Sequence, residues 1–323
     1  MTNHPDTVWP RPRLGVSRCL LGERVRYDGG HRREDWLSDT LLPWVDAVPL
    51  CPEAEAGLGT PREAMQLERG PGGTLRLRGR ESGQDHAAAL QAWIDRRLPE
   101  LVATAGPDGY VLKARSPSCG RSVPVNGQRE PQPGLFAAAL ETAGPSRPLV
   151  DEAALHEASA RDAFVIRLFA LARLRERLAT EWTAGDLSAF HAREKMLLLA
   201  HGRPDYDRLG RIVADAGTRP REALAAEYAA VFARALARGT TRGAHVNVLQ
   251  HLLGHFREGL PNDERAALQA AIEDFGAGRR DRMSVVRRLR EHADALQLDW
   301  VRRQSYLRPA PDELLTGEDP ANE

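Results

Sequence analysis

Cys19, Cys51 and Cys119 are the three cysteines of a 323-residue chain. Each follows a short apolar run that gives way to a polar loop: Cys19 after LGVS, Cys51 after AVPL, Cys119 a few residues past YVLK. An odd number of widely spaced cysteines is not a disulfide framework, so their chemistry is that of thiols, thiolates or metal ligands. No CxxC pair exists. The apolar runs read as strands, and in an open parallel sheet the loops at the carboxyl ends of the strands gather on one edge, where ligands bind. Three cysteines from three such loops would meet there. The competing reading of any one of them is a small inert hydrophobe.

Three thiolates admit two metal readings. Structural zinc takes four protein ligands, so His31 or His86 would have to complete the set. A [4Fe–4S] cluster held by three thiolates leaves one iron without a protein ligand, a Lewis acid with an open position. That arrangement suits a substrate-binding centre rather than an electron carrier, and Cys51-Pro52 matches the Cys-Pro ending of iron–sulfur ligand runs.

Other chemistry-bearing residues cluster near the cysteines. Glu53, two residues past Cys51, is the first candidate for a general base, with Glu55 second. Either would otherwise be an ordinary loop or cap carboxylate. Ser116 and Ser118 flank Pro117, where a hydroxyl would bond a substrate ring or move a proton, or simply shape a turn. Lys113 reads as a substrate anchor or as a strand-end lysine reaching solvent. The YDGG segment, with Tyr27 and Asp28, is a substrate-side loop or a tight turn. Arg62 is placed to reach a phosphate.

The elements that must hold these residues fall into two halves. Residues 1–152 alternate short strands (RLGVSRC, VDAVPLCPE, TLRLR, GYVLKARS) with helical stretches, and Asp85 is a plausible N-cap for the helix DHAAALQAWIDRRLPELVAT. The expectation is an α/β domain, Rossmann-like, with a mostly parallel sheet. Pro49 restricts VDAVPL to an edge or a strand end. Residues 153–323 read as an all-α domain of amphipathic helices separated by Pro, Gly, Asp and Asn. The first of these helices carries Phe164, Leu168, Leu171, Leu174 and Leu178 on one face, and the tail LRPAPDELLTGEDPANE reads as irregular.

Composition narrows the setting. The formal net charge is zero, so no global field draws the chain to nucleic acid or membrane. The N-terminal residues lack an apolar h-region and no run is long enough to span a bilayer, which makes the expected location cytoplasmic. Lys113 and Lys195 are the only lysines among the basic residues. Locally, residues 11–33 hold seven arginines against Glu23 and Asp28, a net of +5, and residues 279–308 reach the same value. Each is a phosphate-binding patch or a solvated face. Asn247, His251, His255 and Glu258 are spaced as one helix face, a buried network or an RNA-facing stripe; His191 and Lys195 form a similar pair.

The blocks SRCLLGERVRYDGG, LCPEAEAGLGTPRE and LKARSPSCG resemble three blocks of the thiouracil desulfidase (TudS) family. EKMLLLAH, GRIVADAG, HVNVLQHLLGHF and QSYLRPAPDELL resemble the YbgA-type domain fused to it, and the fused arrangement is similar to that of tRNA 4-thiouridine desulfidases. The resemblance implies a [4Fe–4S] cluster on Cys19, Cys51 and Cys119 with one open iron, and sulfur removal from a thiolated uracil without redox change. A thiocarbonyl sulfur is soft and suits such an iron. In the fused form the resemblance implies tRNA as partner, with 4-thiouridine converted to uridine and hydrogen sulfide. Two alternatives remain: the same centre acting on free thiouracil or thionucleosides, and a zinc-stabilised RNA-binding protein without chemistry. A cysteine-nucleophile hydrolase would need a histidine partner that no motif supplies. No membrane association and no obligate protein partner are expected.

Overall fold

A computed structural model describes residues 9–317. The start of the chain and residues 318–323, on which the readings of a missing leader and of the last part of the irregular tail fall, lie outside the described residues. Two compact units are present: Pro10–Glu157, and Trp9 together with the chain from Ala158 onward.

The first unit is built on four parallel strands. β1 (Arg13–Ser17) is buried along nearly its whole length, as a central parallel strand must be. β2 (Asp46–Leu50) pairs with it at the sheet edge, which accommodates Pro49. The short helix α1 (Pro52–Glu55) follows, then an antiparallel hairpin of β3 (Met65–Arg69) and β4 (Leu75–Gly79). α2 (Ala87–Val102) leads to β5 (Gly109–Leu112), which lies on the other side of β1. β6 (Val125–Asn126) joins the hairpin, α3 (Leu135–Ala143) packs near α2, and β7 (Leu149–Asp151) closes the main sheet in the order β2-β1-β5-β7. Asp85 is not the N-cap of α2; His86 takes that position, and Asp85 Oδ1 accepts the Ala87 N–H at 3.0 Å.

The order matters for function. After β1 the chain goes to one side (β2) and then to the other (β5), so the carboxyl ends of β1 and β5 diverge at a switch point. The Lys113 N–H donates to Ser17 Oγ at 2.9 Å across those ends. This is where the sequence places Cys19 and the loop of Cys119.

The second unit is all helical: α4 (Ala158–Ala179), α5 (Ala184–His201), α6 (Arg203–Ala214), α7 (Arg221–Ala237), α8 (Arg242–Gly254), α9 (Asn262–Gly276), α10 (Arg282–Ala295) and α11 (Asp299–Arg302) around one apolar core. Among the described residues no helix is long and apolar enough to cross a membrane. The QSYLRPAP segment is a clamp on this core. Arg173 of α4 makes a two-pronged ion pair with Glu194 of α5 (2.8 and 3.0 Å), Ser305 Oγ donates to the same carboxylate at 2.6 Å, and Arg173 also reaches the Pro309 carbonyl. Gln304 bonds the α5 backbone at both ends of its amide.

The expected stripe on one helix face does not form. α8 stops at Gly254, so His255 and Glu258 lie beyond it, and all four stripe residues are exposed rather than buried. The buried histidines are His245 and His191, held against Tyr306 Oη (3.0 Å) and Tyr228 Oη (3.2 Å). Burial lowers the His191 imidazole to about 4 and His245 to about 2. Unfolded imidazoles take up a proton near 6.5, so below that pH the unfolded chain binds more protons and stability falls. At pH 5 each histidine should remove about 2 kcal/mol. Thermal unfolding of the helical unit is expected roughly 10 °C lower at pH 5 than at pH 7, with a smaller drop in His191→Gln; a pH-independent melting temperature would contradict the assignment.

Candidate active site

The register fixes two of the three cysteines. Ser17 pairs with Leu50, so Cys51 follows directly on the paired position of β2 and Cys19 stands two residues past that of β1. Cys119 arrives on the loop after β5. That loop is fastened from below: the Gly134 N–H donates to the Gly120 carbonyl at 2.8 Å, and the first N–H groups of α3 donate to the Pro117 and Ser118 carbonyls. A Cβ at Gly134 would fall 2.6 Å from the Ser118 carbonyl carbon, so only glycine permits this approach.

All three thiols line one cavity of about 440 Å³. Cys19 and Cys119 are buried, Cys51 half-buried. Burial pushes the Cys19 thiol up to about 11 and raises Cys51 and Cys119 as well, the latter far above the ordinary thiol value; the Glu53 carboxylate adds to the rise of Cys51 and Cys119, and neighbouring thiols to that of Cys19 and Cys119. Such thiols become thiolates only against a strong positive centre. Among the described residues no three Cys, His, Asp or Glu side chains converge as a single bound ion requires. A soft three-sulfur set of this kind fits a polynuclear iron–sulfur cluster better than one zinc ion. His31 and His86 do not line the cavity, so neither completes a zinc tetrahedron; His31 Nδ1 instead accepts the Arg33 N–H at 3.2 Å.

Glu53 is the one carboxylate in the cavity wall among the described residues. It sits on α1, whose N-cap is Cys51, so the short helix fixes ligand and carboxylate together. Its Oε1 accepts the hydroxyls of Ser118 (2.8 Å) and Ser116 (3.3 Å), while Oε2 accepts the Arg62 guanidinium. Ser116 Oγ also accepts the N–H groups of Ser118 and Cys119, which ties the carboxylate holder to the cysteine loop. Ser118 is fully buried behind Glu53 and positions it without reaching the cavity.

The other candidates are placed as follows. Glu55 accepts the Cys51 N–H and the Trp93 indole N–H, so it braces α1 and leaves the base position to Glu53. Arg62 spends its remaining donors on Val25, Gly59 and Thr60, so it holds Glu53 and has no arm free for a phosphate. Lys113 lines the cavity but is paired with Glu152. Tyr27 stands at the cavity, 43% exposed. Asp28 does not line it; its carboxylate is taken by Arg26 and the Gly30 N–H in a tight turn. Sequence reasoning passed over Arg80 and Arg115, which also line the cavity, because nothing distinguishes them among so many arginines.

A model described as 2-thiouracil desulfurase matches residues 14–152, which hold every residue of this cavity, and one described as a protein of unknown function (DUF1722) matches residues 195–311. The uncharacterized protein YbbK of Bacillus subtilis (strain 168) is 33% identical over 141 residues, 40% of this chain and 89% of that protein. The chain belongs to the 2-thiouracil desulfurase family. The uncharacterized protein YbgA of Escherichia coli (strain K12) is 30% identical over 146 residues, 45% of this chain and 86% of that protein, so the desulfurase domain shares its chain with a YbgA-type DUF1722 domain. A solved structure described as a [4Fe-4S]-dependent thiouracil desulfidase TudS is 31% identical, covering 46% of this chain and 95% of that one, with a TM-score of 0.38. The residues matched by the 2-thiouracil desulfurase model include the three thiols and Glu53.

Proposed function

We propose that the chain hydrolyses the C=S bond of 4-thiouridine in tRNA, giving uridine and hydrogen sulfide, with a [4Fe–4S] cluster held by Cys19, Cys51 and Cys119. The carrying observation is the convergence of three thiols and one braced carboxylate on a single cavity. Such a cluster would supply an open, Lewis-acidic iron for a soft thiocarbonyl sulfur. Glu53 takes a proton from the water that adds to the ring carbon. Ser118, Ser116 and Arg62 hold both oxygens of Glu53 so that it does not rotate away as charge moves. Water brings two hydrogens and one oxygen; the oxygen stays on the ring, sulfur leaves as hydrogen sulfide, and no electrons are exchanged. A cavity of about 440 Å³ takes a pyrimidine ring beside a cofactor. The resemblance of the fused arrangement to tRNA 4-thiouridine desulfidases supports RNA as the carrier of that ring.

Oxygen-free purification with iron and acid-labile sulfide counts tests the cofactor. Turnover of thiolated tRNA against 4-thiouracil at two salt concentrations tests the substrate. Iron and sulfide in cluster proportion, with tRNA preferred, are expected. Zinc in place of iron would remove the cluster, and a clear preference for the free base would remove the RNA.

A further inference from the structure

The three thiols of the cavity do not have the same surroundings. The Lys113 and Arg26 cations favour the Cys19 thiolate. Cys51 caps α1, accepts the Ala54 N–H and lies near Arg62 and Arg18. Cys119 is buried in the apolar core of the α/β unit. The charges that act most on it are Glu53 and the other two sulfurs, all of which oppose a thiolate. A desolvated thiolate among negative neighbours needs a hydrogen-bond donor.

Ser17 supplies that donor. It ends β1, is 2% exposed and lines the cavity. Backbone pairing between β1 and β5 covers residues 14–16 and 109–111 and stops there. Just beyond, the Lys113 N–H donates to Ser17 Oγ at 2.9 Å, so a side chain carries the last rung between the two strands. That bond occupies a lone pair of the oxygen and leaves the hydroxyl proton, which reaches the Cys119 side chain. The chain leaving β5 thus holds the oxygen in place, and the proton faces the sulfur on the loop that follows the same strand. A hydrogen bond to a ligand sulfur draws charge off it, which raises a cluster's reduction potential and keeps the ligand bound.

We propose that Ser17 is a positioning residue of the iron–sulfur centre: its hydroxyl donates to the Cys119 sulfur, secures that ligand and makes the open iron a stronger Lewis acid. A residue that only finished the strand ladder would need an acceptor for the Lys113 N–H and no proton of its own. The inference rests on the cluster reading above and is independent of which thiolated molecule is the substrate.

The test uses full-length protein loaded without oxygen: wild type, Ser17→Ala, the same-shaped pair Ser17→Thr and Ser17→Val, and Ser38→Ala. The last removes a buried hydroxyl outside the cavity wall and serves as control. The pair suits a strand end and differs only in the hydroxyl, so it carries the test even where alanine fails to fold. Each protein is measured for cluster reduction potential by redox titration, for iron loss to a chelator, and for turnover of a thiolated substrate. Ser17→Ala and Ser17→Val should show a more negative potential, lose iron about tenfold faster and lose about tenfold in kcat with KM kept. Ser17→Thr and Ser38→Ala should match wild type. A ladder role alone would lower the melting temperature of the alanine and valine variants and leave the potential where it was. Equal potentials in the threonine and valine variants overturn the proposal, as does Ser17→Ala with the wild-type potential and iron-loss rate. Wild type that holds no iron overturns it together with the cluster. A hydroxyl-dependent potential in a protein that turns over no thiolated substrate removes the desulfidase reading and leaves the role of Ser17 standing.

Discussion

Glu53→Gln lowers kcat/KM on the thiolated substrate by roughly 10²–10⁴-fold, the usual worth of a general base, without changing iron or sulfide content. The expectation follows from isolation. No other carboxylate lines the cavity among the described residues, so no neighbour takes over the proton. Glutamine keeps the shape and an acceptor for the serine hydroxyls. It gives up the charge opposite Arg62, but Arg62 still donates to Val25, Gly59 and Thr60, so the pocket wall holds. Ser118→Ala is the graded partner experiment. It removes the 2.8 Å bond and leaves the longer one from Ser116, so the carboxylate loosens but stays; about a fivefold to tenfold loss is expected. A glutamine variant that turns over near the wild-type rate would move the base to a residue outside this wall.

Convergence of the cysteines was legible because the topology does the work: each cysteine follows a parallel strand, and parallel strands end on one edge. The partners of Glu53 were not legible. Arg62 reaches it through a loop whose turns, at Gly57 and Gly59, adopt positive φ, and Ser116 and Ser118 arrive from another strand altogether. Part of the local charge is neutralised by residues that the fold brings in. Counted alone, residues 11–33 are basic, yet Arg11 pairs with Asp46 and Arg33 with Asp35 and Asp39, all outside that window. In residues 279–308, Arg290 is buried against Asp312 and Arg302 and Arg308 share Asp294. Helical periodicity was read through Gly254, where the chain turns.

Cys119→Ala is expected to bring iron and acid-labile sulfide to background and activity with them, and Cys19→Ala and Cys51→Ala to do the same. The fold should survive, because Cys119 packs in the apolar core of the α/β unit and alanine removes only the sulfur from it, at a cost of about 1–2 kcal/mol. Equivalence of the three is the discriminating feature. A cysteine nucleophile works as a thiolate, and burial here pushes every one of the thiols the other way, Cys19 to about 11. The cavity therefore disfavours a lone reactive cysteine and suits ligands that give up their protons when a cationic metal centre binds. Under a nucleophile mechanism one substitution would abolish turnover with iron content intact, and the other two would be tolerated. Under shared ligation each substitution removes a corner of the same site, and iron, sulfide and turnover fall together. Circular dichroism and thermal melting of each variant separate loss of the cofactor from loss of the fold. A single alanine variant that keeps both iron and full turnover would strike that sulfur from the ligand set.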